Sequence, residues 1–221
     1  MNGAGTQAIV NSGRNSGDVS AINRSEWPPD EIPVPLCVDG RRYIVGLRLN
    51  SFEHLRRQRA NLGAATSTGL LHALWELPYG ISFPRSSFNE IDRLTLTEAE
   101  DGWVQHRGED IIRMYQPAGT IKWIAVTDKS LTRAIDRAAS HPPTVRRTAI
   151  WDTSTDGRSP NANVTLIEAK ILGVGVLAFD GSRTKELVEP DAAIRGRPSV
   201  FRWWQAELAY RNWISSTTPI A

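Results

Sequence analysis

Hydrophobic and polar positions follow a clear pattern from residue 36 onward, where they predict a hairpin followed by helices. The segment PLCVDGRRYIVGLRL has two short apolar runs around Asp39-Gly40, which is typical of a tight turn between antiparallel strands. Ser51 can cap a helix that runs from Phe52 to about Leu62. The segment TGLLHALWEL predicts a second helix that ends before a proline.

The rest of the chain predicts strands that alternate with helices. DGWVQHR and DIIRMYQP are candidates for paired strands, and TIKWIAV and TVRRTAIWDTS are candidates for single strands. SLTRAIDRAASH has apolar positions at helical spacing, with Asp128 or Ser130 as its cap. SVFRWWQAELAYRNWI predicts a last helix capped by Ser199. This order favours an α/β or α+β fold, with a central mixed sheet flanked by helices.

The composition divides the chain into a tail and one folded domain. Residues 1–32 are rich in Gly, Ser and Asn and hold few large apolar side chains, so we expect a flexible tail. Residues 33–129 are expected to form the first part of a single domain, and residues 130–215 its core. A chain of 221 residues is long enough for one large domain.

The most apolar run in the chain, NVTLIEAKILGVGVLAF at residues 163–179, contains two charges, Glu168 and Lys170. We interpret this run as a buried strand, or a bent pair of strands with Gly173 and Gly175 at a bulge. On a strand, Glu168 and Lys170 share one face with apolar neighbours. Because an unpaired buried charge costs several kcal/mol, this face needs a compensating group.

An acidic residue upstream supplies a candidate for that group. The preceding predicted strand ends in Asp152, sixteen positions before Glu168, and the connector has the length of an antiparallel turn with a generous loop. Asp156, twelve positions before Glu168, is a competing choice. Two carboxylates repel each other unless a cation lies between them, and Mg²⁺ suits oxygen ligands and keeps open positions. Lys170 could then orient a metal-bound water.

An acidic residue at the end of one strand, followed by Glu-Ala-Lys in the next, resembles the PD-(D/E)xK nuclease superfamily. The matching residues are Asp152, Glu168 and Lys170 in IWDTSTDGRSPNANVTLIEAK, and the predicted order of elements over residues 130–214 also fits a restriction-endonuclease-like core. The resemblance implies that Asp152, Glu168 and the carbonyl of Ala169 hold Mg²⁺, and that Lys170 serves the attacking water. It implies a metal-dependent endonuclease that hydrolyses phosphodiester bonds in DNA.

Positive charge is concentrated in the second half of the chain, which permits nucleic-acid binding. The net charge is only +2, so local clusters are more informative than the total. We expect DNA phosphates to be contacted by five arginines, namely Arg146, Arg147, Arg195, Arg197 and Arg202.

An alternative function needs no catalysis. The chain has eight tryptophans, and three of them, Trp203, Trp204 and Trp213, fall in its last quarter. The Trp-rich last helix could join copies into a homo-oligomer, as in a viral or phage structural or regulatory module. With one cysteine, Cys37, no internal disulfide can form, so we expect a cytoplasmic protein. No run approaches the roughly 20 apolar residues of a membrane helix.

Overall fold

The structure is a computed structural model that describes residues 29–38, 40–154, 161–197 and 199–217. Three predictions therefore lie outside the described residues: the tail as far as residue 28, the Asp39 half of the hairpin turn, and Asp156 with the connector around it. The last residues of the predicted tail belong to the folded part, because Glu31 is buried and the first strand begins at Ile32.

The described residues form nine strands and six α-helices. The strands are β1 (Ile32–Val38), β2 (Arg41–Leu49), β3 (Ser82–Pro84), β4 (Val104–Arg107), β5 (Asp110–Arg113), β6 (Gly119–Asp128), β7 (Arg146–Asp152), β8 (Val174–Phe179) and β9 (Thr184–Val188). The helices are α1 (Ser51–Arg59), α2 (Thr68–Trp75), α3 (Glu90–Thr97), α4 (Leu131–Ala139), α5 (Ala162–Ile171) and α6 (Val200–Thr217).

A six-stranded mixed sheet in the order β1-β2-β6-β7-β8-β9 is the centre of the fold. β1 and β2 form the predicted hairpin, and β2 pairs antiparallel with β6. β6, β7 and β8 are parallel, because α4 and α5 carry the chain back between them, and β9 is antiparallel. The prediction of an α/β fold with a central mixed sheet flanked by helices is confirmed.

The main apolar core lies on one face of this sheet, under α4, α5 and α6. α4 shows how the sequence builds it: Leu131, Ala134, Ile135 and Ala138 recur at helical spacing and are all buried. Ser130 caps α4 by accepting a hydrogen bond from the Arg133 N–H, which confirms one of the two predicted caps.

A smaller sheet in the order β3-β5-β4 encloses a second apolar core with α2 and α3. β4 and β5 are the antiparallel pair that the sequence predicted. α6 joins the two cores, because Trp203 packs in the second core and Trp213 in the first. The tryptophans of α6 are thus partly buried within the fold, and self-association through this helix stays a prediction.

Residues 163–179 form a helix and then a strand, so the prediction of a strand from residue 163 is wrong. Gly173, at φ 65°, takes the left-handed conformation that commonly ends a helix, and its N–H donates to the Lys170 carbonyl at 3.1 Å. Because the run is apolar on every side, a two-residue and a 3.6-residue repeat fit it equally well. Its Leu, Glu, Ala and Lys residues favour a helix.

A buried network of charges lies between the two cores. The Arg57 guanidinium donates to both carboxylate oxygens of Glu207, at 2.7 and 2.9 Å, and to Glu53 at 2.8 Å. All three side chains are at most 1% exposed. Glu207 also accepts hydrogen bonds from three other donors: the Tyr115 hydroxyl and the N–H groups of Ala65 and Ala118. The network therefore ties α1, α6 and the segment before β6 together.

Candidate nucleic-acid interface

The structure places the three predicted catalytic residues on two elements, β7 and α5. Asp152 ends β7, where its Oδ1 accepts hydrogen bonds from the Ser154 N–H and hydroxyl. Glu168 and Lys170 lie in α5. Two positions along a helix correspond to about 200° of rotation, so their side chains point in nearly opposite directions. The Lys170 ammonium pairs with Asp191 at 3.4 Å, whereas Glu168 faces α4.

The connection between Asp152 and Glu168 also differs from the prediction. The predicted antiparallel turn between their elements is wrong, because β8 runs parallel to β7 and α5 is the crossover. The Arg147 guanidinium donates to the Leu172 carbonyl, so the end of α5 meets the start of β7. Asp152 is five residues further along β7, about 16 Å from Arg147 at the usual strand rise.

An Mg²⁺ ion shared by Asp152 and Glu168 stays a prediction from the sequence. The third predicted ligand is the carbonyl of Ala169, a residue of α5 that is fully buried in the main core. Among the described residues, no group of three or more His, Cys, Asp or Glu side chains is arranged to hold a metal ion.

The five arginines predicted to contact DNA converge at the amino end of β7. Arg146 and Arg147 are its first two residues and point to opposite faces of the sheet. The segment after β9 returns to this place, because the Ile194 N–H donates to the Pro143 carbonyl at 2.9 Å. Arg195 and Arg197 follow in that segment and are exposed.

Arg202 completes this group, which we call the basic edge. A Cβ atom placed on Gly196 would lie 2.2 Å from Thr144 Cγ2 and 3.5 Å from Arg202 Nη1, so these three residues are in contact. The Thr144 hydroxyl and Arg202 Nη2 are buried, and neither has a hydrogen-bond partner within the part of the chain that the structure describes.

Two arginines of the basic edge already have partners. Arg146 donates to both carboxylate oxygens of Glu31, at 3.0 and 3.2 Å. Arg147 donates hydrogen bonds to the carbonyls of Ala139, His141 and Leu172. Carbonyls at the end of a helix, as at the ends of α4 and α5, lack a partner within the helix. A cation at a helix carboxyl terminus is favoured by the helix dipole. Arg146 and Arg147 thus hold the edge together, and Arg195 and Arg197 are its accessible charges.

His141 lies beside this positive region, and no sequence motif marks it. Its imidazole packs edge-on against Tyr43, with ring centroids 5.0 Å apart. Burial lowers the pKa of His141, and the charges of three nearby arginines, Arg137, Arg147 and Arg41, lower that pKa further. Arg41 and Arg137 are far apart in sequence, so only the fold could reveal this cluster.

Among the described helices, none is both long and apolar enough to cross a membrane. Comparison of the chain with protein-family models, with curated proteins and with solved structures gives no match. The resemblance to the PD-(D/E)xK superfamily therefore stays a prediction from the sequence.

Proposed function

We propose that this protein binds nucleic acid through the phosphate backbone, with the basic edge as the contact surface and duplex DNA as the first ligand to test. The observation that carries the proposal is the hydrogen bond from Ile194 to Pro143, which holds Arg195 and Arg197 beside the amino end of β7. Arginine guanidinium groups match phosphate oxygens in charge and geometry.

The electrostatics of this surface support binding of a polyanion. Arg195, Arg197 and Arg202 make no ion pair with a carboxylate in the described part of the chain, so their charge is available to a ligand. Arg41, Arg137 and Arg147 add positive potential around His141. Because contacts to phosphates carry no sequence information directly, we expect backbone contacts without strong sequence preference.

The test is a binding titration with a short labelled duplex at fixed salt. The variant Arg195→Ala/Arg197→Ala should bind roughly tenfold or more weakly, since each phosphate contact supplies part of the affinity. The control Arg183→Ala/Lys185→Ala removes the same charge from exposed positions near the carboxyl end of β8, and it should bind like the unchanged protein. Equal losses in both variants would show that only net charge matters.

Mg²⁺-dependent hydrolysis of DNA stays a separate prediction. It is tested by incubating plasmid DNA with the pure protein and Mg²⁺. Cleavage that disappears in both Glu168→Ala and Lys170→Ala would support the predicted roles of these residues. Cleavage that persists in both variants would show that Glu168 and Lys170 do not have these roles. The binding proposal does not depend on either outcome.

A further inference from the structure

The outer face of α5 is apolar and uncovered. Val164, Ile167 and Ile171 lie at helical spacing on this face, and they are 58%, 62% and 78% exposed. The inner face of α5 packs on β8 through Ala169. A helix that is apolar on both its faces is normally covered on both, so the outer face of α5 has the character of a contact surface.

A groove of 380 Å³ runs beside this face, between α4 and α5. Its floor and walls are mostly apolar, but two carboxylates, Asp136 and Glu168, face it from opposite helices. Neither of them pairs with a cation among the described residues. The outer face of α5 together with this groove, which we call the α5 surface, therefore suits an apolar partner that carries a positive charge.

The outer face of α1 has that chemistry. Phe52 and Leu55 are 71% and 49% exposed, and Arg59 is exposed at the next helical position of the same face. Arg59 forms no ion pair within the described chain. The inner face of α1 is fixed by the buried residues Glu53 and Arg57, so the helix presents these side chains rigidly.

We propose that α1 of one copy of this chain docks on the α5 surface of a second copy. Phe52 and Leu55 pack on Val164, Ile167 and Ile171, and the Arg59 guanidinium approaches Asp136 and Glu168. The two helices match in length, at about 13 and 15 Å. The positive charge of α1 meets the two carboxylates that lack a cation, and this charge complementarity selects α1 over a second α5 surface.

This contact joins two different surfaces, so it is heterologous. α5 packs on β8 and β9 at one side of the main sheet, whereas α1 follows β2 towards the other side. A docked pair therefore keeps one free α1 on one copy and one free α5 surface on the other, and association continues into a ring or a chain. A single helix on a groove buries less than the roughly 1,200 Å² of stable complexes, so association should be weak and concentration-dependent.

The experiment is sedimentation of the full chain over a range of concentrations, with two variants at exposed positions. The mass of the unchanged protein should rise with concentration, and Leu55→Asp and Ile167→Asp should each remain monomeric. An equimolar mixture of the two variants should form a dimer and nothing larger, because one intact α1 and one intact α5 surface remain. The control Leu94→Asp changes a leucine of α3 that is 53% exposed and should associate normally.

Three results would overturn the proposal. The first is an unchanged protein that stays monomeric at every concentration. The second is a mixture of the two variants that stays monomeric while circular dichroism shows both to be folded. The third is a loss of association in Ile167→Asp but not in Leu55→Asp, which would indicate two α5 surfaces pairing with each other. In a further test, Arg59→Glu should weaken association severalfold, and Asp136→Lys/Glu168→Lys in the same chain should restore it.

Discussion

Arg57 and Glu207 are 150 positions apart in the sequence, yet they form a two-point ion pair that is completely buried. Burial by itself lowers the pKa of Arg57, but hydrogen bonds and charge from Glu207, and then from Glu53, outweigh it and raise that pKa above its ordinary value. Arg56 pairs with Glu53 at 2.8 Å, so two arginines balance two glutamates. The buried network is neutral as a whole.

The first prediction concerns this pair. Glu207→Gln leaves the Arg57 charge buried without its main counter-ion, so we expect the free energy of unfolding to fall by about 3–5 kcal/mol. Urea unfolding measures it. The control Glu186→Gln changes an exposed glutamate of β9 and should stay within about 0.5 kcal/mol of the unchanged protein. Similar losses in the two variants would contradict a stabilising role for the pair.

The second prediction concerns Gly46 in β2. A Cβ atom at this position would lie 2.0 Å from Trp123 Nε1, because the indole lies flat on the glycine. Gly46→Ala should therefore destabilise the protein by about 1–3 kcal/mol through overpacking. At Gly63 a Cβ would meet nothing within 4 Å, so Gly63→Ala serves as the control and should cost little or nothing. Thermal unfolding of both variants checks the difference.

The third prediction concerns pH. The pKa of His141 is lowered from its ordinary 6.5 in the folded protein, so between these two values the unfolded chain binds a proton that the folded chain does not. Stability should thus be retained above pH 6.5 and should fall as the pH drops through this window. His141→Asn should reduce the slope of unfolding free energy against pH there.

The fourth prediction separates arginines that hold the basic edge together from those that contact a ligand. Arg147→Ala leaves the last carbonyls of α4 and α5 without their donor, so we expect a loss of about 1–2 kcal/mol in unfolding free energy. Arg197→Ala changes an exposed side chain and should leave stability within about 0.5 kcal/mol. If chemical unfolding shows the two variants to be equally stable, the capping role of Arg147 is refuted.

Local signals in the sequence predicted much of the fold. The hairpin of β1 and β2, the Ser130 cap of α4 and the pairing of β4 with β5 depend on neighbouring residues, and all three are confirmed. The helix α5 was missed because its run is apolar on every side, which removes the difference between helical and strand spacing. Two features of the sequence favoured a helix: the glycine at position 173, which suits a helix end, and the length of about ten residues in the run before it.

The site was harder to predict, because its parts are distant in the sequence. The predicted metal site required Glu168 and Lys170 to share one face of a strand. Both residues lie in the helix α5, where their side chains point in nearly opposite directions. Arg146 and Arg195 were selected by charge alone, and nothing in the sequence indicated that they lie at the same edge. The Arg57–Glu207 pair gave no signal either, since neither residue belongs to a recognisable local motif.

The most direct test of the basic edge is the salt dependence of DNA binding. For each phosphate contact, the logarithm of the binding constant falls by roughly 0.9 per tenfold rise in salt concentration. Removal of two contacts in Arg195→Ala/Arg197→Ala should make this slope shallower by roughly 2, whereas Arg183→Ala/Lys185→Ala should keep the slope of the unchanged protein. Equal slopes in all three proteins, or no binding at low salt, would contradict the proposal.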